Sequence, residues 1–97
     1  MSAPRAGLDA LLAEYRAHLP ATLARIDALL GEAKYRELAR ELHTLAGSAG
    51  TFGLPAIGAA AAAAEAYLEA CGAGPDNRQR AQLQQLLARI RHASCTA

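Results

Sequence analysis

Aromatic residues are scarce in this chain: it has no tryptophan, one phenylalanine and three tyrosines. β-Branched residues are few as well, while Ala and Leu dominate, a balance that disfavours sheet and favours helix almost throughout. A surplus of charge of one sign is also missing. Ten Lys and Arg against nine Asp and Glu leave a formal charge of +1, without the concentrated basic surface that nucleic-acid binding usually needs, so no nucleic-acid partner is expected. No window approaches the roughly 18 to 20 apolar residues of a membrane span. The alanine run from Ala59 to Ala64 is too short and too weakly hydrophobic to change this. The opening segment, MSAPRAGLDALLAEYR, meets charges before any apolar core of signal-peptide length forms. A cytoplasmic domain without membrane association is the expectation. Cys71 and Cys95 stand alone, with no CxxC and no histidine at ligand spacing, so unpaired thiols and no metal site are expected.

Ninety-seven residues suffice for one compact domain, and are too few for a nucleotide-binding domain plus a second functional one. We read a single domain over residues 1–97 with an ordered core of about 8–93. Leu8, Leu12, Tyr15, Leu19, Leu23, Ile26 and Leu30 recur every three or four residues, as one face of a helix does. Pro20 falls inside this row. Proline lacks the N–H and clashes with the carbonyl four residues back, which predicts a break or sharp kink near residues 18–20 and a separate short N-terminal helix. Gly31 ends the element.

A second helix is predicted from about Ala33, with Leu38, Leu42, Leu45 and Ala49 inward and Phe52 closing the row. Gly53 and Pro55 punctuate, and a third helix puts Ile57, Ala61, Ala64, Leu68 and Cys71 on one side, small enough for a close helix approach. CGAGPDNRQ is a turn by composition, in which Asp76 and Gln79 have capping-box spacing. A last helix carries Leu83, Leu86, Leu87 and Ile90 inward. Short connections make neighbouring helices antiparallel. The expected fold is all-α: an antiparallel up-and-down four-helix bundle with an additional short N-terminal helix.

Within the second helix, the stretch ELHTLAGSAGTFG, residues 41–53, sets His43 among closely following glycines. At about 100° per residue, His43 lies roughly 130° from the centre of the apolar row, so it is expected in solvent. Arg36, Arg40, Gly47 and Gly50 fall within about 60° of it. Interior glycine costs a helix about 1 kcal/mol relative to alanine. Gly47 and Gly50 therefore either begin the fraying of the helix or clear side chains away from the imidazole so that another protein can approach. An imidazole in water is largely neutral and nucleophilic at pH 7, which suits it to accept a phosphoryl group. Transfer of that group depends on in-line positioning and on neutralising negative charge. Arg36 and Arg40 could supply cations, although side chains on a helix lean toward its N-terminus and Arg40 therefore leans away from His43. Ala39 and Leu54 are the apolar residues expected nearest the His43 direction.

The run from His43 through Thr44, Leu45, Ala46, Gly47 and Ser48 to Gly53 resembles the signature of histidine-containing phosphotransfer (HPt) domains. In that family the phosphorylated histidine is followed by Lys-Gly-Ser or a close variant and then a later glycine. The resemblance extends over nearly the whole chain, from a helical hairpin before the motif to a Leu/Ala helix ending in AEAYLEA and a final helix. It implies that His43 is the phosphoacceptor, that Gly47 keeps room beside it, and that the domain is a carrier without kinase or phosphatase activity. The implied partners are response-regulator receiver domains, which bring Mg²⁺ and the phosphorylated aspartate, and a hybrid histidine kinase. No cofactor of the domain's own is implied, and such bundles are typically monomers. One departure stands out: Ala46 occupies the position of the family's usual lysine, and Arg40 or Arg36 is expected to take part of its role.

A histidine-kinase dimerisation domain also displays a helical histidine. Its motif usually has an acid directly after the histidine, where this chain has Thr44, and no ATP-binding domain fits in the length. A non-phosphorylated helical adaptor that binds a receiver or kinase remains the alternative, kept open by Ala46. GSAGTFG lacks the Gly-Lys-Ser/Thr and the preceding strand of a phosphate-binding loop. His18, beside Pro20, and His92, near the end of the last helix, have no glycine one turn away.

Overall fold

The computed structural model describes residues 3–72 and 74–96, with burial defined for 7–72 and 74–95. Four helices follow one another: α1 (Ala3–Gly31), α2 (Tyr35–Thr51), α3 (Pro55–Ala70) and α4 (Asn77–Thr96). Pairs between them give their directions. Tyr15 meets Ser48 and Arg25 meets Glu41, so α1 and α2 are antiparallel. His43 meets Glu65, while the backbone beside Ala46 meets that of Gly58, so α3 turns back again. Arg80 reaches the Leu30 carbonyl and Arg91 pairs with Asp27, so α4 runs against α1. The predicted up-and-down bundle is present.

The separate N-terminal helix is not. α1 runs unbroken for 29 residues through Pro20. Leu19 and Ile26, on either side of the proline, are both buried in the same core. Pro20 itself is exposed, where the carbonyl left without its donor can meet water. Packing on a shared core thus outweighs a local penalty of about 3 kcal/mol. The apolar row also outlasts the bundle: Leu8 and Leu11 are 67% and 52% exposed, and from residue 7 onward the first buried residue of α1 is Leu19.

The core is aliphatic and holds no buried polar or charged residue among those described. Leu38, Leu42, Leu45 and Ala49 of α2 meet Ile57, Ala61, Ala64 and Leu68 of α3, with Leu83, Leu86, Leu87 and Ile90 closing from α4. α2 and α3 form the tightest pair. A Cβ built on Gly58 would lie 3.2 Å from the Ala46 carbonyl oxygen, so the bare backbone there sets how near α3 can come. Cys71, expected in this row, instead caps the end of α3 and is only partly buried, because the helix stops at Ala70.

Helix ends are made as local chemistry demands. The Leu54 N–H reaches the Ala49 carbonyl at 2.8 Å and the Gly53 N–H reaches Gly50 at 3.2 Å, a Schellman ending with Gly53 at φ +73°. The same pattern closes α1: Lys34 N–H to Leu29 O at 2.9 Å and Ala33 N–H to Leu30 O at 3.1 Å. There the left-handed residue is Ala33, at φ 58°. At the start of α4, the Gln79 N–H donates to Asp76 Oδ1 at 2.8 Å and the Asp76 N–H to Gln79 Oε1 at 2.9 Å, the reciprocal capping box read from the sequence.

Candidate functional site

His43 stands on the outer face of α2 with its side chain 79% exposed, as its angle from the leucine row requires. The ring does not hang freely. Nδ1 lies 3.0 Å from Glu65 Oε2 and 3.3 Å from Oε1, and the Glu65 side chain is 18% exposed. An ionised carboxylate only accepts hydrogen bonds. As the donor to this carboxylate Nδ1 carries a ring hydrogen, and in the neutral ring Nε2, turned away from Glu65, keeps its lone pair. Glu65 was missed from sequence. Its spacing within AEAYLEA marks the solvent-facing edge of α3, but only the packing of α3 on α2 brings that edge to the histidine.

A shallow concavity next to the ring is lined by Arg36, Ala39, Arg40, His43, Thr44, Glu65 and Glu69. Both arginines singled out from sequence thus share one surface with His43. Neither belongs to an ion pair among the described residues, whereas Arg25 is held by Glu41 at 3.3 Å. Two guanidinium groups without a carboxylate partner next to a nucleophilic nitrogen are an arrangement able to receive a phosphoryl group.

Gly47 and Gly50 are exposed, and nothing lies within 4 Å of a Cβ built on either. α2 continues through both to Thr51, so they do not begin its fraying. No packing among the described residues requires glycine at these positions. What they produce is a bare strip on the outer face of α2, beginning one turn beyond His43.

Other residues of the motif face inward. Ser48 Oγ donates to the Leu45 carbonyl at 3.3 Å and therefore accepts from the Tyr15 hydroxyl at 2.7 Å. It ties α1 to α2 and takes no part in the concavity. Ala46 is half-buried against the core. Ala39 lines the concavity as expected, but Leu54 is 7% exposed and belongs to the core. The helical projection failed for Leu54 because left-handed Gly53 folds the chain back before it. His18 is exposed, and its Nδ1 lies 2.8 Å from the Glu14 carbonyl of its own helix. His92 is exposed on α4. No cluster of three or more His, Cys, Asp or Glu able to hold a metal occurs among the described residues, and no helix there is long and apolar enough to cross a membrane.

The structure is thus a helical bundle with an exposed histidine, contacted by one carboxylate, on a glycine-cleared face of α2. The family model described as "Hpt domain" matches residues 10–93, which is most of the chain, and the protein belongs to the Hpt domain family. Hpt domains carry phosphoryl groups within two-component phosphorelays and are neither kinases nor phosphatases. Their general partners are receiver domains and histidine kinases. No curated protein and no solved structure matches the chain significantly.

Proposed function

We propose that His43 is the phosphoacceptor of a phosphorelay intermediate. It takes a phosphoryl group from an aspartyl phosphate on one receiver domain, including that of a hybrid histidine kinase, and passes it to another receiver. The observation that carries this is the exposure of His43 on the outer face of α2, beside Arg36 and Arg40 and one turn before the glycine strip, in a chain whose family performs this transfer. The incoming receiver contributes Mg²⁺ and its acidic pocket, and this domain contributes the nucleophile and the surface that receives the partner. Gly47 and Gly50 let that surface come close. Arg36 and Arg40 offset charge on the phosphoryl oxygens in place of the lysine that Ala46 replaces. The domain acts as a monomeric cytoplasmic carrier with no cofactor of its own.

Transfer of labelled phosphate from a phosphorylated receiver or a small acyl phosphate tests this, with the native chain set against His43→Gln. Acid-labile, base-stable label that vanishes only in His43→Gln is the expected result. Ala46 favours one other reading, an adaptor that binds a receiver without accepting phosphate. Receiver binding with no label from any of several donors would establish the adaptor instead.

A further inference from the structure

We infer that Glu69 sets how loosely the domain holds its phosphate: its carboxylate works against Arg36 and Arg40, so that the phosphorylated state is not favoured too strongly for the group to leave. This rests on His43 being the phosphoacceptor and goes further, naming the side chain that fixes the balance between uptake and release.

Glu69 lies on α3 one turn beyond Glu65, toward the C-terminal end of that helix. α2 and α3 run antiparallel, and Glu65 stands opposite His43. One turn farther along α3 is therefore opposite one turn back along α2, where Ala39 and Arg40 stand, with Arg36 a turn earlier again. The lining of the concavity agrees, since Arg36, Ala39, Arg40 and Glu69 all contribute to it. Arg36, Ala39 and Glu69 also line a second hollow, between the α1–α2 turn and the end of α3. Glu69 is thus at the arginine end of the site.

Its pairing differs from that of Glu65. Glu65 is bound to the ring, whereas the exposed Glu69 side chain has no hydrogen bond or ion pair among the described residues. Elsewhere on the surface Arg25 is taken up by Glu41, Lys34 by Glu32 and Arg91 by Asp27. In the concavity Arg36, Arg40 and Glu69 all stay unpaired among the described residues. The arginine charges remain available to an incoming anion, and the carboxylate remains to oppose it.

On uptake a ring nitrogen of His43 forms a P–N bond as the P–O bond of the partner's acyl phosphate breaks, and the electron pair leaves with the carboxylate oxygen. On return a carboxylate oxygen attacks phosphorus, the P–N bond breaks and the pair goes back to the ring nitrogen. The concavity thus gains and loses the negative charge of the phosphoryl oxygens. A fixed charge beside it raises or lowers the phosphorylated state alone, and so shifts the equilibrium between the two proteins. Two arginines without an opposing charge would let phosphate accumulate on the histidine. Glu69 cancels part of their attraction, which suits a carrier that must give up what it accepts. At so exposed a position water and salt screen the interaction, and removing one charge is expected to change the equilibrium roughly threefold.

The experiment loads the native chain, Glu69→Gln, Glu69→Lys and Glu69→Asp with labelled phosphate and mixes each with one purified receiver domain at low and at high salt. The ratio of phosphohistidine to phosphoaspartate is read once it is constant and before hydrolysis depletes it. This ratio is a property of the two phosphorylated states and does not depend on how well the partners dock. It should rise roughly threefold in Glu69→Gln and roughly tenfold in Glu69→Lys, stay close to native in Glu69→Asp, and differ less between variants at high salt. An unchanged ratio in Glu69→Gln and Glu69→Lys, a fall in either, or one equal effect of all three substitutions, as a merely structural role would give, overturns the assignment. Label that never enters the native chain would overturn the phosphoacceptor reading and this one with it, whereas label that enters with an unchanged ratio overturns this one alone.

Discussion

The Tyr15 ring lies on Phe52 with centroids 4.5 Å apart and planes 20° from parallel, while its hydroxyl meets Ser48 Oγ at 2.7 Å. One side chain of α1 therefore grips both the side of α2 and its last turn. This contact stands at the place where α1 leaves the bundle. Tyr15→Phe removes the hydrogen bond but keeps the stacking, at a cost of about 1 kcal/mol. That corresponds to a melting temperature lower by about 4–8 °C for a domain of this size. Phosphate transfer should be unaffected, since neither Tyr15 nor Ser48 reaches the His43 concavity; a thermal melt and a transfer assay on the same sample check both halves.

Ala33 ends α1 in a left-handed conformation that an L side chain adopts at a cost of roughly 1–2 kcal/mol. Glycine there has no such strain but gains freedom in the unfolded chain. Ala33→Gly is expected to stabilise the fold by about 0.5–1 kcal/mol. Urea denaturation gives the sign, and a lower midpoint would mean that the strain is relieved in some other way.

Gly47→Ala separates stability from function. The helix gains about 0.5–1 kcal/mol, because open space receives the methyl group and alanine is the better helix former. Transfer from a phosphorylated receiver should drop at least roughly tenfold, since a well-packed interface cannot absorb the added volume without separating the reacting atoms. A small acyl phosphate needs no such surface and should label the variant nearly as well as the native chain. Equal losses with both donors would place the effect on His43 itself rather than on docking.

Arg40→Ala should slow transfer by about threefold to tenfold and change the lifetime of the phosphohistidine, and Arg36→Ala should do so to a lesser or equal degree. If the double variant transfers at the native rate, the arginines do not replace the missing lysine. Ala46→Lys in that background then shows whether a cation from the next turn can serve.

How much of this was legible in the sequence varied with the range of the physics involved. The leucine row of α2 placed His43 in solvent and Arg36 and Arg40 on its side, because one helix obeys one periodicity. The Asp76–Gln79 capping box was equally legible, being made within four residues. Pro20 was misjudged. Its local rule is sound, but Leu19 and Ile26 commit both halves of α1 to one core, which no local rule includes. Leu54 was misplaced for a related reason, since a left-handed residue ends the periodicity from which its direction was projected.

The sequence by itself determined that the chain is helical, where the turns between its helices fall, and that His43 stands on the solvent side of α2. These follow from propensity, caps and a 3.6-residue repeat, all acting over a few residues. Only the tertiary structure decided that α1 is one helix, that its first turns extend beyond the core, and that Glu65 meets His43 across 22 positions of chain. Contacts of that kind depend on how closely two helices pack, and at Gly58 the distance is set by a side chain that is not there.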